Sequence, residues 1–120
     1  MPKLSILKSN DSAKVPAQAV MQIIYPKSSA SSFNLDYYLK HHMPLVEKAW
    51  GPQGITSWSV STGDKGADYH VQTLVFWKSM EAIEEMTEVA AILEDVKNFT
   101  DATPTQWMGR IVGSSAIKSV

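Results

Sequence analysis

The chain has 120 residues, 44% hydrophobic and 19% charged, with a formal net charge of −1, which is the make-up of one globular domain and not of a disordered segment. A balanced charge offers no basic field to a phosphate backbone, so nucleic acid is not an expected partner. With no cysteine there are no disulfides, thiolate zinc sites or cysteine nucleophiles, and with no apolar run near the roughly 20 residues a bilayer requires, a membrane is not expected and a cytoplasmic setting is.

Residues 1–16 are rich in Ser, Lys, Asp and Ala, and their apolar segment is too short for a secretory signal. They read as a flexible N-terminal arm, leaving residues 17–120 as the folded domain. QAVMQIIY at 18–25 is apolar on both faces and stopped by Pro26, which describes a buried strand. After the SSASS loop, Asn34 is a good N-cap, and Phe33 and Tyr38 are spaced as a hydrophobic staple. A helix is therefore expected from about Leu35 to about Ala49, ended by Gly51, Pro52 and Gly54. ITSWSVS at 55–61 and YHVQTLVFW at 69–77 predict two strands, joined across the polar TGDKGAD turn as a hairpin. Ser79 caps a second helix with Glu81, Glu84 and Glu85 in its first turns, where the helix dipole favours them. Its buried stripe is expected to be Ala82, Ile83, Met86, Ala90 and Leu93. NFTDATP at 98–104 is a loop, and TQWMGRIVG at 105–113 is the last strand.

The order β-α-β-β-α-β predicts an α+β, ferredoxin-like fold: a four-stranded antiparallel sheet with two helices on one face. Right-handed crossovers place the first and third strands centrally. Those strands are apolar on both sides, so the second face of the sheet also needs a cover. A second copy is the simplest one, giving a homodimer through the sheets.

The segment FNLDYYLKHHMPLVEKAW carries the chemistry. On a wheel of about 100° per residue, Leu35, Tyr38, Leu39, Val46 and Ala49 fall within about 60° of His42, which puts His42 in the buried stripe. His41 falls on the flank, nearer water. The two rings do not converge, so the pair is a poor metal site, and no metal is expected. A buried histidine needs a hydrogen-bond partner. His42 is thus either a structural residue or a proton-transfer group whose ordinary pKa suits working pH. Pro44 breaks the helical hydrogen bond to Lys40, and the kink opens space beside the imidazole. If that kink turns the helix, His41 becomes the working residue instead.

Three stretches, FNLDYYLKHHMPLVEKAWGPQGITSWSV, VQTLVFWKSMEA and NFTDATP, with the strand that holds Gly109, resemble the EthD family over about residues 18–115. The specific parts are the YY-x-x-HHMPLV piece and the NFTD loop. Residues 96–98 depart from the family in reading Val-Lys-Asn where many relatives carry a proline before the asparagine. The resemblance implies a dimeric α/β barrel, and a role, without cofactor, on small hydrophobic compounds. Those compounds are aromatic or ether-type metabolites, and the chemistry is of oxidoreductase or oxygenase, dehydratase or decarboxylase type. The family's H-x-P histidine falls on His42, followed by Met43 and Pro44. The resulting expectation is a helix histidine, His42 or His41, acting as general acid or base. Tyr25, Tyr38, Trp58, Trp107 and Asn98 are expected to serve the substrate pocket. The alternative is a non-catalytic small-molecule binding or accessory protein.

Overall fold

The structure, a computed structural model, describes residues 16–117. The expected arm at 1–16 lies outside the described residues apart from its last position. Four strands form one antiparallel sheet: β1 at Ala19–Pro26, β2 at Ile55–Thr62, β3 at Tyr69–Trp77 and β4 at Thr105–Arg110. Their order across the sheet is β2-β3-β1-β4, so the first and third strands are central, as the right-handed crossovers require. The architecture is the expected α+β, ferredoxin-like one.

Alternation along the strands sorts the side chains into two faces. Met21 lies opposite Val75, and Ile23 opposite Thr73, on the face that the helices cover. Ala19, Met21, Tyr25, Val71, Thr73, Val75 and Trp77 are buried there. Val20, Gln22 and Ile24 of β1 point the other way, alongside Leu74 and Phe76 of β3 and Trp107 of β4. Most of this open face is half-buried, while Trp107 is 55% exposed. β4 ends at Arg110, shorter than the stretch to 113 that the sequence predicted.

The first helix, α1, runs through three segments: Leu35–Tyr37, a π-helical turn at Tyr38–His42, and Met43–Trp50. Asn34 caps it as expected, its side chain accepting from the Tyr37 N–H at 3.0 Å. In the π turn the Met43 N–H donates to the Tyr38 carbonyl, five residues back. That underwound closure moves Met43 onto the core side and swings Leu39 outward. Met43 is 2% exposed and Leu39 38%, so the straight-wheel placement of Leu39 in the stripe is corrected. Past the helix, Gly54 has a φ of 139°, and its carbonyl accepts from the Lys78 N–H at 2.8 Å, which ties the start of β2 to the end of β3.

The expected second helix is two. α2 spans Met80–Glu84 behind its Ser79 cap, and α3 spans Val89–Asp95, followed by a 3₁₀ turn at Val96–Asn98. The break has a tertiary cause. Trp50 Nε1 donates to the Thr87 carbonyl at 2.9 Å, and the Thr87 N–H donates to Gln53 Oε1 at 2.8 Å. Both backbone groups of Thr87 are thus taken by side chains from the end of α1 and the turn beyond it. Glu88 then adopts a left-handed φ of 64°. The helical phase resets, so Ile92 is buried while Ala90 and Leu93, expected in the stripe, are exposed.

Candidate functional site

A cavity of about 440 Å³ lies between the helix-covered face of the sheet, α1 and α3. Its walls come from Met21, Ile23 and Tyr25 of β1, from Tyr38, His42, Met43, Val46 and Trp50 of α1, and from Val89, Ile92 and Leu93 of α3. Ala102, Thr103, Pro104 and Gln106 close one side. No lining residue carries a permanent charge. The volume lies within the range of about 300–1,000 Å³ usual for small-molecule sites.

His42 is 5% exposed and sits in this wall. The π turn delivers it there. Its ring is stacked on Tyr38 at 5.3 Å between centroids and 14° between planes, and lies 4.6 Å from Phe99. His42 Nδ1 donates to Asp95 Oδ2 at 2.9 Å. Its Nε2 makes no hydrogen bond to another described residue, and the ring lines the cavity.

Asp95 stands at the end of α3 and is the site residue that sequence reasoning missed. Its Oδ1 accepts from Tyr37 Oη at 2.7 Å and from Asn98 Nδ2 at 2.9 Å. Burial works to raise the Asp95 carboxyl, but hydrogen bonds from Tyr37, Asn98 and His42 outweigh it and hold the group below its ordinary value. The opposite balance governs His42. Burial pulls its pKa below the ordinary histidine value, and the Asp95 carboxylate only partly offsets that. The imidazole is thus neutral at working pH, the state in which it accepts a proton.

Two tyrosines share the wall. Tyr38 Oη is bonded to Thr73 Oγ1 at 2.6 Å. Burial pushes the Tyr38 hydroxyl up to about 12, the Thr73 bond working against it. Burial, and then the neighbouring Tyr38, push Tyr25 up as well. Both stay protonated, and the Tyr25 hydroxyl has no hydrogen-bond partner among the described residues.

The structure thus brings His42, Tyr25 and Tyr38 together. It does not bring the other expected residues into the cavity. His41 is exposed, its ring 4.8 Å from that of Tyr37, because the π turn rotates Met43 inward and not His41. Trp58 lies outside the cavity and donates from Nε1 to Glu47 Oε1 at 2.8 Å. Trp107 stands opposite Gln22 on the open face of the sheet. Asn98 holds Asp95 and does not reach the cavity. The described residues contain no cluster of three or more His, Asp or Glu suited to a metal, and no helix among them is long and apolar enough to cross a membrane.

No family profile matches the sequence, and no curated protein is similar enough to match it. Solved structures do share the fold. An EthD-like protein from Ralstonia eutropha superposes with a TM-score of 0.70 at 22% identity, over 83% of this chain and 96% of that one. A dimeric ferredoxin-like protein from an uncultured marine organism gives 0.61 at 16% identity, over 92% and 99%. An EthD-family protein from Bacillus halodurans gives 0.58 at 15% identity, over 78% and 97%. The chain therefore has the fold of EthD-like proteins, as the HHMPLV and NFTD motifs implied.

Proposed function

We propose that the chain is a cofactor-free acid–base catalyst acting on an uncharged aromatic or ether-type metabolite held in this cavity. The observation that carries the reading is the placement of His42: one ring nitrogen is engaged by Asp95, and the ring lines an uncharged, mostly apolar pocket. In such a pocket a neutral imidazole accepts a proton from an acidic carbon or hydroxyl. Dehydration, decarboxylation or reaction with oxygen can follow. The unpartnered Tyr25 hydroxyl is placed to donate to a substrate oxygen. A homodimer through the open face of the sheet, and a cytoplasmic setting for a cysteine-free chain, belong to the same reading.

Native mass spectrometry of protein purified gently from its own source reports subunit number and any retained small molecule together. The expected result is a dimer carrying an apolar compound, whose turnover is abolished by His42→Ala with the dimer intact. Normal turnover in that variant sinks the assignment. A binding protein without catalysis is the second reading, favoured by the mostly apolar lining, which holds a ligand without any chemistry. Recovery of the bound compound chemically unchanged after incubation selects it.

A further inference from the structure

Among the described residues Asp95 is the carboxylate bonded to His42, and the reading above gives it no task. A carboxylate only accepts hydrogen bonds, so the 2.9 Å contact to Oδ2 requires the proton of the neutral ring to sit on Nδ1. Nε2 is then the unprotonated nitrogen of a ring that lines the cavity. The carboxylate is itself immobilised. Tyr37 and Asn98 both donate to Oδ1, and Asn98 also reaches Tyr37 Oη at 3.4 Å. Stacking on Tyr38 fixes the plane of the ring, and Asp95 fixes its rotation and tautomer.

We propose that Asp95 is the positioning residue of the site, holding His42 as the Nδ1–H tautomer so that Nε2 serves as the base, with Tyr37 and Asn98 orienting Asp95. When Nε2 takes a proton from the substrate, the ring becomes an imidazolium that keeps its Nδ1 proton. Asp95 stays ionised throughout and stabilises that cation without accepting the proton. This rests on the acid–base reading of His42. The other titratable groups around the pair among the described residues are Tyr37, Tyr38 and His41 of α1, Tyr25 of β1, Glu94 of α3 and Lys97 of the 3₁₀ turn after it. The β3 wall contributes only Thr73 and Val75.

The test uses ¹⁵N-histidine NMR of the full chain, together with α-deuteration of 2-tetralone in D₂O as an uncharged probe of proton abstraction. Wild-type His42 should be Nδ1–H, and Asp95→Asn should move it toward the Nε2–H form. In that variant the exchange rate should fall on the order of 10- to 100-fold, the scale on which outer partners of functional histidines act. Its acid limb should move to lower pH, because the imidazolium loses its counter-charge. Asp95→Glu should restore part of the rate. A wild-type His42 found as Nε2–H overturns the proposal with no variant needed. So does an Asp95→Asn protein with unchanged pH profile and rate while His42→Ala abolishes exchange. If His42→Ala exchanges the probe as fast as wild type, the acid–base reading itself fails, and Asp95 loses its catalytic task with it. The two failures are thus told apart.

Discussion

Two residues of the site contribute to the acid response of this protein. The folded pKa of His42 lies below its ordinary value of 6.5, so the unfolded chain takes up that proton first as the pH falls. The stability this contributes is complete above about pH 6.5 and is lost as the pH falls through the lower folded value. Asp95 acts in the same direction further down. Its folded pKa is depressed, so its contribution is complete above the ordinary carboxylate value of about 4 and is lost below it. Thermal melts from about pH 8 to about pH 3 should show the Tm falling in two stages. A Tm that is flat between about pH 6.5 and about pH 5 contradicts the buried, neutral state assigned to His42. The burial of His42 was visible in the sequence because the helical period alone marks a buried stripe. Asp95 as its partner was not visible. It is 53 positions away from His42, among the glutamates of a helix that read as a solvated face, and only its i+3 relation to Asn98 hinted at a paired carboxylate.

Among the elements, legibility followed the range of the forces. The strands of β1 and β3 are set by their own alternation and β-branched content, and their extents come out within a residue or so of the expected ones. The break between α2 and α3 is set by Trp50 and Gln53 reaching across to Thr87, 37 and 34 positions away, and no local propensity carries that information. The π turn lies between these cases. Pro44 announced a fault in the helix but not its kind, and the wheel therefore misplaced Leu39. The same break leaves a testable strain. Glu88 is the described non-glycine residue with a positive φ, and a left-handed conformation costs an ordinary residue about 1 kcal/mol or more. Glu88→Gly should therefore stabilise the fold by up to about 1 kcal/mol, raising the Tm by roughly 4–8 °C for each kcal/mol. A lowered Tm would mean that the Glu88 side chain contributes more than its backbone strain costs.

The described residues form one sheet, with one face covered by helices and the other left open by them. The open face presents Val20, Ile24, Leu74 and Phe76 around a Gln22–Gln72 hydrogen bond of 2.8 Å. A fully polar surface would need no partner, whereas this mixed, flat face suits a second copy related by a two-fold axis. Leu74→Lys or Phe76→Lys would set like charges against each other across that axis. If the wild-type chain pairs through this face as proposed, light scattering should then report a monomer of about half its mass, with far-ultraviolet circular dichroism unchanged. A lysine variant that remains dimeric rules out the sheet as the interface.

Trp107 gives that face an optical signature. Its ring lies where a Cβ on Gly109 would collide with it, so the glycine leaves the indole room to lie along the sheet. Of the four tryptophans, Trp50 and Trp77 are buried and Trp58 is half-buried, which leaves Trp107 as the most exposed indole. Self-association through the open face would transfer this fluorophore from water to protein. If two copies pair there, the chain would carry, without any label, its own concentration-dependent emission colour.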